Sequence, residues 1–259
     1  MKVSYFPGCT LKTKAKELDK YTRKSAEALD ITLEEIENWQ CCGGVFTTVR
    51  DEIATKLSSV RALSEAAKKD QILVSVCSAC HNVIKQTNNA IQTDEGFNFR
   101  VNQYIDEPYN GEAKVMHFLE LIRDEVGFDK VAEKVKKSLD GKKIGAYYGC
   151  LLLRPSNVMQ MDDPENPTII EDLISTLGGE PVVYPYRNEC CGGYIALESP
   201  ESAKARSNKV TESAEKFGAE LIVTACPLCK YNLEKNGSEI PVVYFTELLA
   251  DALGVKEEN

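Results

Sequence analysis

Long hydrophobic runs are missing from this chain of 259 residues. The longest apolar stretches, such as residues 144–153, are well short of the about 20 residues that cross a bilayer as a helix. The opening MKVSYFPGC is broken too early by proline and glycine to form the apolar part of a signal peptide. The sequence therefore predicts no membrane insertion and a cytoplasmic location.

Positive charge is also scarce, since 31 lysines and arginines face 40 aspartates and glutamates and the net charge is −9. Proteins that bind nucleic acid or anionic lipid usually carry a surplus of basic residues. The composition therefore argues against nucleic acid and against a membrane surface as partners. No GxGxxG motif follows a predicted strand, which argues against a dinucleotide site of the usual kind.

Cysteine, in contrast, is abundant, with ten residues. In a reducing compartment, a disulfide framework is not expected, and so many cysteines favour metal binding or redox chemistry. They form two sets with the same order: a lone cysteine, an adjacent pair in CCGG, and a CxxC. The first set is Cys9, Cys41, Cys42, Cys77 and Cys80, and the second set is Cys150, Cys190, Cys191, Cys226 and Cys229.

The two sets indicate an internal duplication. Cys42 and Cys77 are 35 positions apart, as are Cys191 and Cys226, and the flanking segments repeat as well, for example LVSVC and IVTAC. We expect an N-terminal half at 1–140 and a C-terminal half at 141–259. The halves differ by extra residues at about 93–111 in the first and 161–167 in the second, which we interpret as polar surface loops.

Short β-branched runs alternate with longer amphipathic stretches, which predicts an α/β fold with mostly parallel sheets. The lone cysteine and the CxxC of each set come just after a predicted strand. In α/β folds, ligands bind at the carboxyl ends of parallel strands. The predicted strands are 2–6, 72–76, 143–148, 181–186, 221–224 and 241–244, and the predicted helices are 11–30, 50–69 and 199–217.

Thiolates are soft ligands that select zinc or iron–sulfur centres. A structural zinc takes four ligands, and so does a cubane [4Fe–4S] cluster. Each half offers five cysteines, and the same surplus in both suggests that the fifth is also a ligand. An adjacent pair can reach one centre only where the chain turns sharply, and the glycines of CCGG allow such a turn.

The order of a lone cysteine, CCGG and CxxC, present twice, resembles the CCG-domain proteins, and among them the HdrB component of heterodisulfide reductase and its bacterial relatives. The resemblance covers essentially the whole chain. It implies that all ten cysteines are ligands of two [4Fe–4S] clusters of the noncubane type. It also implies that a disulfide is reduced to two thiols in the cleft between the halves.

The resemblance further implies partners, namely an HdrC-like iron–sulfur subunit and an HdrA-like flavin subunit that can bifurcate electrons. Electron counting agrees with the reaction, since cleaving a disulfide takes two electrons and one cluster normally moves one. The substrate, a small molecule or a protein disulfide, is not specified.

Two other functions stay open. The protein could pass electrons to a quinone or a protein partner without disulfide chemistry, or hold zinc as a scaffold. His81, next to Cys80, is a candidate proton donor, although a packing role is more typical of such a histidine. Five cations near the cysteines either attract an anionic substrate or are ordinary surface residues: Lys12, Lys14, Arg154, Arg187 and Lys230.

Overall fold

Two four-stranded sheets, both wholly parallel, form the framework of the protein. The computed structural model describes residues 1–44 and 53–256. The strand order is β2-β1-β3-β4 in the first sheet and β6-β5-β7-β8 in the second. The order is the same in the two sheets, so the structure confirms the prediction of an α/β fold with two pseudo-symmetric halves.

The first sheet and its helices follow one another in regular alternation. The strands β1 and β3 are central, and all of their residues except Lys2 are buried. The elements are β1 Lys2–Phe6, α1 Gly8–Thr13, α2 Lys16–Ala28, β2 Thr32–Glu35, α3 Leu57–Lys68, β3 Leu73–Ser75, α4 Ser78–Thr93, α5 Glu95–Asn102, β4 Val115–His117, α6 Phe118–Leu121, a π-helical turn Ile122–Val126 and α7 Phe128–Lys134.

The second sheet repeats this arrangement with central strands β5 and β7. Its elements are β5 Lys143–Tyr147, α8 Ser156–Met159, α9 Ile169–Thr176, β6 Glu180–Val182, a 3-10 turn Gly193–Ile195, α10 Pro200–Lys216, β7 Leu221–Thr224, α11 Pro227–Asn236, β8 Val242–Tyr244 and α12 Phe245–Ala252.

The helix that follows the last strand of each sheet begins with the same capping arrangement. His117 and Tyr244 are the N-cap residues of α6 and α12, and each helix has a capping box closed by a glutamate three residues later. The backbone N–H of His117 donates to Glu120 over 2.9 Å, and that of Tyr244 to Glu247 over 3.5 Å. The local sequences HFLE and YFTE therefore encode one turn twice.

The helix predicted over 50–69 spans only Leu57–Lys68, and positions 50–52 of that prediction lie outside the described residues. Two other predicted elements are shorter because the regular backbone is interrupted or ends early. The helix predicted over 11–30 is interrupted at Ala15, whose φ of −127° and ψ of 49° are not helical. The strand predicted over 181–186 ends at Val182, because its pairing with β5 stops there. In both cases the sequence pattern continues past the point where the regular backbone ends.

The insertion at 93–111 also needs correction, since it is not only a loop. It contains α5, an additional helix of the first half. Asp94 caps that helix by accepting a hydrogen bond from the N–H of Phe97 over 2.9 Å. The Phe97 and Val101 side chains are buried, so the insertion contributes to the core.

The two halves share one large hydrophobic core. Helix α12 of the second half packs on α2 of the first, and the largest cluster of buried apolar side chains takes members from both halves. At this contact, the hydroxyls of Thr22 and Thr246 are 3.3 Å apart. A buried interface of this kind fixes the relative position of the two sheets.

Buried hydrogen bonds join the halves close to the cysteines. The Tyr244 hydroxyl donates to the carbonyl oxygen of Val76 and lies 3.2 Å from that of Ala225. The Ser78 hydroxyl donates to the same Ala225 oxygen over 2.8 Å. Val76 and Ala225 are equivalent in the duplication, so the pseudo-twofold axis passes close to this point. None of the helices within 1–44 and 53–256 has the length and apolarity needed to cross a membrane.

Candidate metal centre

The cysteines gather where the carboxyl ends of the central strands meet. Cys9 lies in the first turn of α1, directly after β1. Cys77 and Cys226 are the N-cap residues of α4 and α11, after β3 and β7. The positive ends of these two helix dipoles therefore face the thiols and favour negative charge there. The prediction that the cysteines lie at this edge is confirmed.

Within the first set, the thiols approach one another in pairs. The Sγ atoms of Cys9 and Cys41 are 3.5 Å apart, and those of Cys42 and Cys80 are 3.4 Å apart. Cys41 also receives the N–H of Gly43 at 3.5 Å. Cys41 is exposed, whereas Cys42 and Cys80 are buried, so this set extends from the interior to the surface.

All five cysteines of the second set line one small cavity of about 10 Å³, which is room for about one water molecule. The Sγ atoms of Cys191 and Cys229 are 3.5 Å apart, and Cys150 and Cys190 shift each other's pKa, which is raised for Cys150 and lowered for Cys190. The N–H of Gly192 donates to Cys190 over 3.3 Å. Other residues lining the cavity are Ser78, Tyr148, Leu151, Gly193, Tyr194 and Leu228.

The two sets are neighbours at the interface between the halves. Cys77 of the first set and Cys226 of the second are both buried, and Cys226 raises the pKa of Cys77, while Cys229 and then Cys77 lower that of Cys226. Cys77 and Cys226 also add to the raised pKa values of Cys80 and Cys229, respectively, so the buried thiols of both sets lie near this interface. Any groups held by the two sets would therefore border the same region of the molecule.

Two glycines let the backbone approach the thiols. Gly8 and Gly149 precede the lone cysteines and have φ of +75° and +66°, in the left-handed region that favours glycine. A Cβ atom on Gly8 would be 2.9 Å from the Cys80 Sγ, and one on Gly149 would be 3.2 Å from the Cys229 Sγ. The PGC and YGC sequences therefore serve to bring the first and last cysteines of each set together.

The thiols within each set differ in pKa. Hydrogen bonds from Cys41 and Cys80 lower the pKa of Cys42, and hydrogen bonds from Cys150 and Cys191 lower that of Cys190. Conversely, the hydrogen bond to Cys42 and then burial raise the pKa of Cys41. Each set thus stabilises thiolate at some positions, and the thiolate is the form that binds metal.

The donor set fits an iron–sulfur group in its chemistry. Five soft thiols converge in each half, backbone N–H groups donate to sulfur, and a single cavity collects the second set. Within the described part of the chain, no three of the histidine, cysteine, aspartate and glutamate side chains are placed to hold a single metal ion. The thiols instead come within van der Waals distance pair by pair.

His81 is fully buried beside the first set. Its Nε2 atom is 3.5 Å from an oxygen of Glu120, too far for a strong hydrogen bond. Neither of its ring nitrogens has a hydrogen-bond partner among the described residues, and its ring packs edge-on against that of His117, with centroids 5.6 Å apart. Burial, followed by His117 and Lys85, holds the pKa of His81 well below its usual value. This environment indicates packing.

Lys85 and Glu120 form a polar link that the sequence analysis did not identify. Lys85 donates to Glu120 over 3.1 Å and to the carbonyl oxygen of Met159 in the second half over 2.5 Å. Asn82 donates to the carbonyl oxygens of Leu151 and Arg154 over 2.8 and 2.7 Å. Helix α4, which begins directly after Cys77, is therefore tied to the second half.

Four of the five cations near the cysteines are engaged with carboxylates, and Lys14 is exposed. These four contacts favour a structural role over one in attracting substrate. The pairs are Lys12 with Glu35 at 2.7 Å, Arg154 with Glu165 at 3.0 Å, Arg187 with Glu171 at 3.1 Å, and Lys230 with Glu234.

Fold and site together define a duplicated α/β protein with a thiol-rich centre between its halves. The model of the cysteine-rich domain CCG matches residues 3–85 and 144–234. The chain therefore belongs to the CCG family. Both matched segments contain one complete set of five cysteines, which confirms the resemblance stated from the sequence.

Two curated relatives match nearly the whole chain. The chain is 30% identical to the 8-methylmenaquinol:fumarate reductase membrane anchor subunit of Wolinella succinogenes, over 97% of this chain and 92% of the relative. It is 28% identical to an HdrB-like heterodisulfide reductase protein of Archaeoglobus profundus, over 100% and 93%. The relatives support a heterodisulfide reductase-type subunit of a multi-subunit complex, and the CCG domain implies iron–sulfur clusters.

A solved structure shares the fold. A hypothetical protein from Helicobacter pylori superposes with a TM-score of 0.75 at 10% sequence identity, covering 100% of this chain and 49% of the solved one. At this identity, the match bears on the fold only.

Proposed function

We propose that this protein is the disulfide-reducing subunit of an Hdr-type complex, with one [4Fe–4S] cluster, of the noncubane type, in each of the halves 1–140 and 141–259. All ten cysteines would be ligands, five to each cluster. The observation that carries the proposal is the proximity of Cys77 and Cys226, whose neighbours along the chain are joined across the interface by the hydrogen bonds of Ser78 and Tyr244. It brings the two ligand sets to a common boundary, as a reaction that needs both clusters would require.

The reaction balances with two electrons and two protons, because RSSR′ + 2e⁻ + 2H⁺ gives RSH and R′SH. The clusters, when bound, would transfer the electrons one at a time and offer iron to sulfur. The chain supplies the rest. Gly43 and Gly192 donate N–H groups to ligand sulfurs, and the buried Ser78 and Tyr244 fix the two halves across the boundary.

The electrons must come from a partner, since all ten cysteines are assigned and no nucleotide motif was found in the sequence. We propose an HdrC-like iron–sulfur subunit and, beyond it, an HdrA-like flavin subunit in a bifurcating complex. Cys41 is the one exposed cysteine of the ten, so the first set offers the shortest path from the surface. A protein whose ten cysteines all serve as thiolate ligands suits a reducing, cytoplasmic location.

A second candidate function is supported by the Wolinella relative, whose name describes a subunit of a menaquinol:fumarate reductase. In this case, the clusters would pass electrons between a quinone and a protein partner, and no disulfide would bind. The two candidates share the clusters and differ in whether sulfur from a substrate reaches iron.

The test is anaerobic purification followed by iron, sulfide and zinc analysis and electron paramagnetic resonance. We expect about eight irons per chain, as two clusters require, and a new paramagnetic signal when a disulfide is added under oxidising conditions. Eight irons with no change on adding any disulfide would support the quinone-linked function. About four irons would contradict the paired-cluster reaction, and zinc in place of iron would contradict both candidates.

A further inference from the structure

Tyr194 lies between the two cysteine sets, directly after the second CCGG. It is in the 3-10 turn Gly193–Ile195, and its side chain lines the cavity that the second set surrounds. Its hydroxyl crosses the interface and donates to the carbonyl oxygen of Gly44, in the CCGG of the first set. One side chain therefore connects the two glycine-rich turns that carry the adjacent cysteine pairs.

The surroundings of the Tyr194 phenol come from both halves. Burial raises its pKa, and the thiols that add to this effect are Cys42 and Cys77 of the first set and Cys150 and Cys226 of the second. The residue is half-buried, so one side faces the cysteines and the other faces solvent. The side chain therefore covers the small cysteine cavity on the side that faces the first set.

We infer that Tyr194 controls access to the space between the two cysteine sets, and that a substrate enters after the hydrogen bond to Gly44 breaks and the ring turns aside. This inference rests on the proposed function, because it assigns the space to a substrate. A neutral hydrogen bond is weak enough to open readily and strong enough to keep the passage closed most of the time.

The two halves differ at the position of Tyr194. The first CCGG is followed by Val45 and the second by Tyr194. Val45 lies outside the described residues, and a valine has no hydroxyl with which to bind the opposite turn. Among the described residues, the hydrogen bond between the two turns is therefore supplied by the second half.

The experiment uses the cluster-loaded protein, treated anaerobically with an iron chelator and iodoacetamide, with alkylated cysteines followed by mass spectrometry. For Tyr194→Ala, we expect alkylation of Cys150, Cys226 and Cys77 to be about tenfold faster or more. For Tyr194→Phe, which keeps the ring, we expect about two- to tenfold, the factor that one neutral hydrogen bond provides. The exposed Cys41 should not change.

Tyr104→Ala and Tyr104→Phe are matched controls, because Tyr104 is 62% exposed and lies outside the cysteine cavity. They should leave all rates as in the unmodified protein. Equal rates for Tyr194→Ala and the unmodified protein would overturn the inference, and so would an equal acceleration at Cys41, since the variant would then have loosened the whole protein. The alkylation rates do not depend on disulfide turnover. The experiment can therefore contradict the inference about Tyr194 without contradicting the proposed reaction, and the reverse also holds.

Discussion

The two halves differ in the residue that follows the last cysteine of each set. In the first half it is His81, which is fully buried against Glu120. In the second half it is Lys230, which binds Glu234 and the carbonyl oxygen of Val242 at the edge of the sheet. The capping glutamates differ in the same way. Glu120 is buried and binds Lys85, whereas Glu247 is more exposed and binds Lys256 over 3.0 Å.

The two halves share three local features around the cysteines. Both keep a left-handed glycine before the lone cysteine, an N-cap cysteine and a capping box. These features hold the thiols in place. The differences lie in the polar contacts around them, and those of the first half, through Lys85 and Asn82, reach across to the second half. The duplication therefore keeps the local structure that positions the cysteines and varies the polar contacts at the interface.

The largest expected effect tests whether the two sites are independent. Cys9→Ser and Cys150→Ser each replace one lone thiol by a harder oxygen donor. We expect each variant to lose the iron of its own half, about four per chain, and to retain the rest, measured by iron and sulfide analysis. Each variant is the control for the other. Loss of all iron from either one would show that the two sites assemble together.

A smaller effect is expected at the glycines. Gly8→Ala and Gly149→Ala would both suffer left-handed strain, and the Gly8 variant would also press a Cβ atom to 2.9 Å from the Cys80 Sγ. We expect a loss of about 2–4 kcal/mol in the free energy of unfolding for Gly8→Ala and less for Gly149→Ala. Urea unfolding of the anaerobic protein provides the measurement.

Gly218 supplies the matched control for this comparison. Its φ is +90°, and a Cβ atom there would meet nothing within 4 Å. Gly218→Ala should therefore cost only the backbone strain, about 1–2 kcal/mol. If all three variants lost the same free energy of unfolding, the close approach of the backbone to the thiols would make no separate contribution to stability.

The smallest effect separates the two capping glutamates. Glu120→Ala removes the acceptor of the His117 N–H and leaves the partly buried Lys85 without its carboxylate, so we expect a loss of about 2–3 kcal/mol. Glu247→Ala removes a longer cap and a more exposed ion pair, and we expect about 0.5–1 kcal/mol. Urea unfolding measures both, and equal losses would contradict the difference in burial.

The sequence could predict the central strands and the ligand-bearing edge because β-branched runs and cysteine spacing are local signals. Strand β2 was not predicted. Its TLEE sequence has two glutamates that favour a helix, and it becomes a strand by pairing with β1 in the register Lys2↔Thr32. The ion pairs of Glu34 with Lys2 and of Glu35 with Lys12 support that edge.

The arrangement of the interface could not be predicted from the sequence, for a different reason. Spacing shows that Cys77 and Cys226 are equivalent, but it does not contain the packing of one half on the other, which depends on many distant contacts such as Thr22 with Thr246. Tyr194 is visible in the sequence as a difference between the repeats, since it follows the second CCGG where the first CCGG is followed by Val45. A comparison of the repeats position by position finds such differences.

The pair His117 and Tyr244 shows what a fused duplicate gains over a dimer of identical chains. Close to the pseudo-axis, the Tyr244 hydroxyl donates to the carbonyl oxygen of Val76 and lies 3.2 Å from that of Ala225, whereas the Nε2 atom of the equivalent His117 has no hydrogen-bond partner among the described residues. Two identical subunits would have to place the same side chain on both sides of that axis, and two phenols would compete for the same acceptors. One continuous polypeptide places a ring of different size and hydrogen-bonding character on each side, so the centre is asymmetric. Under the proposed function, the two sulfurs of an unsymmetrical disulfide would therefore meet different surroundings.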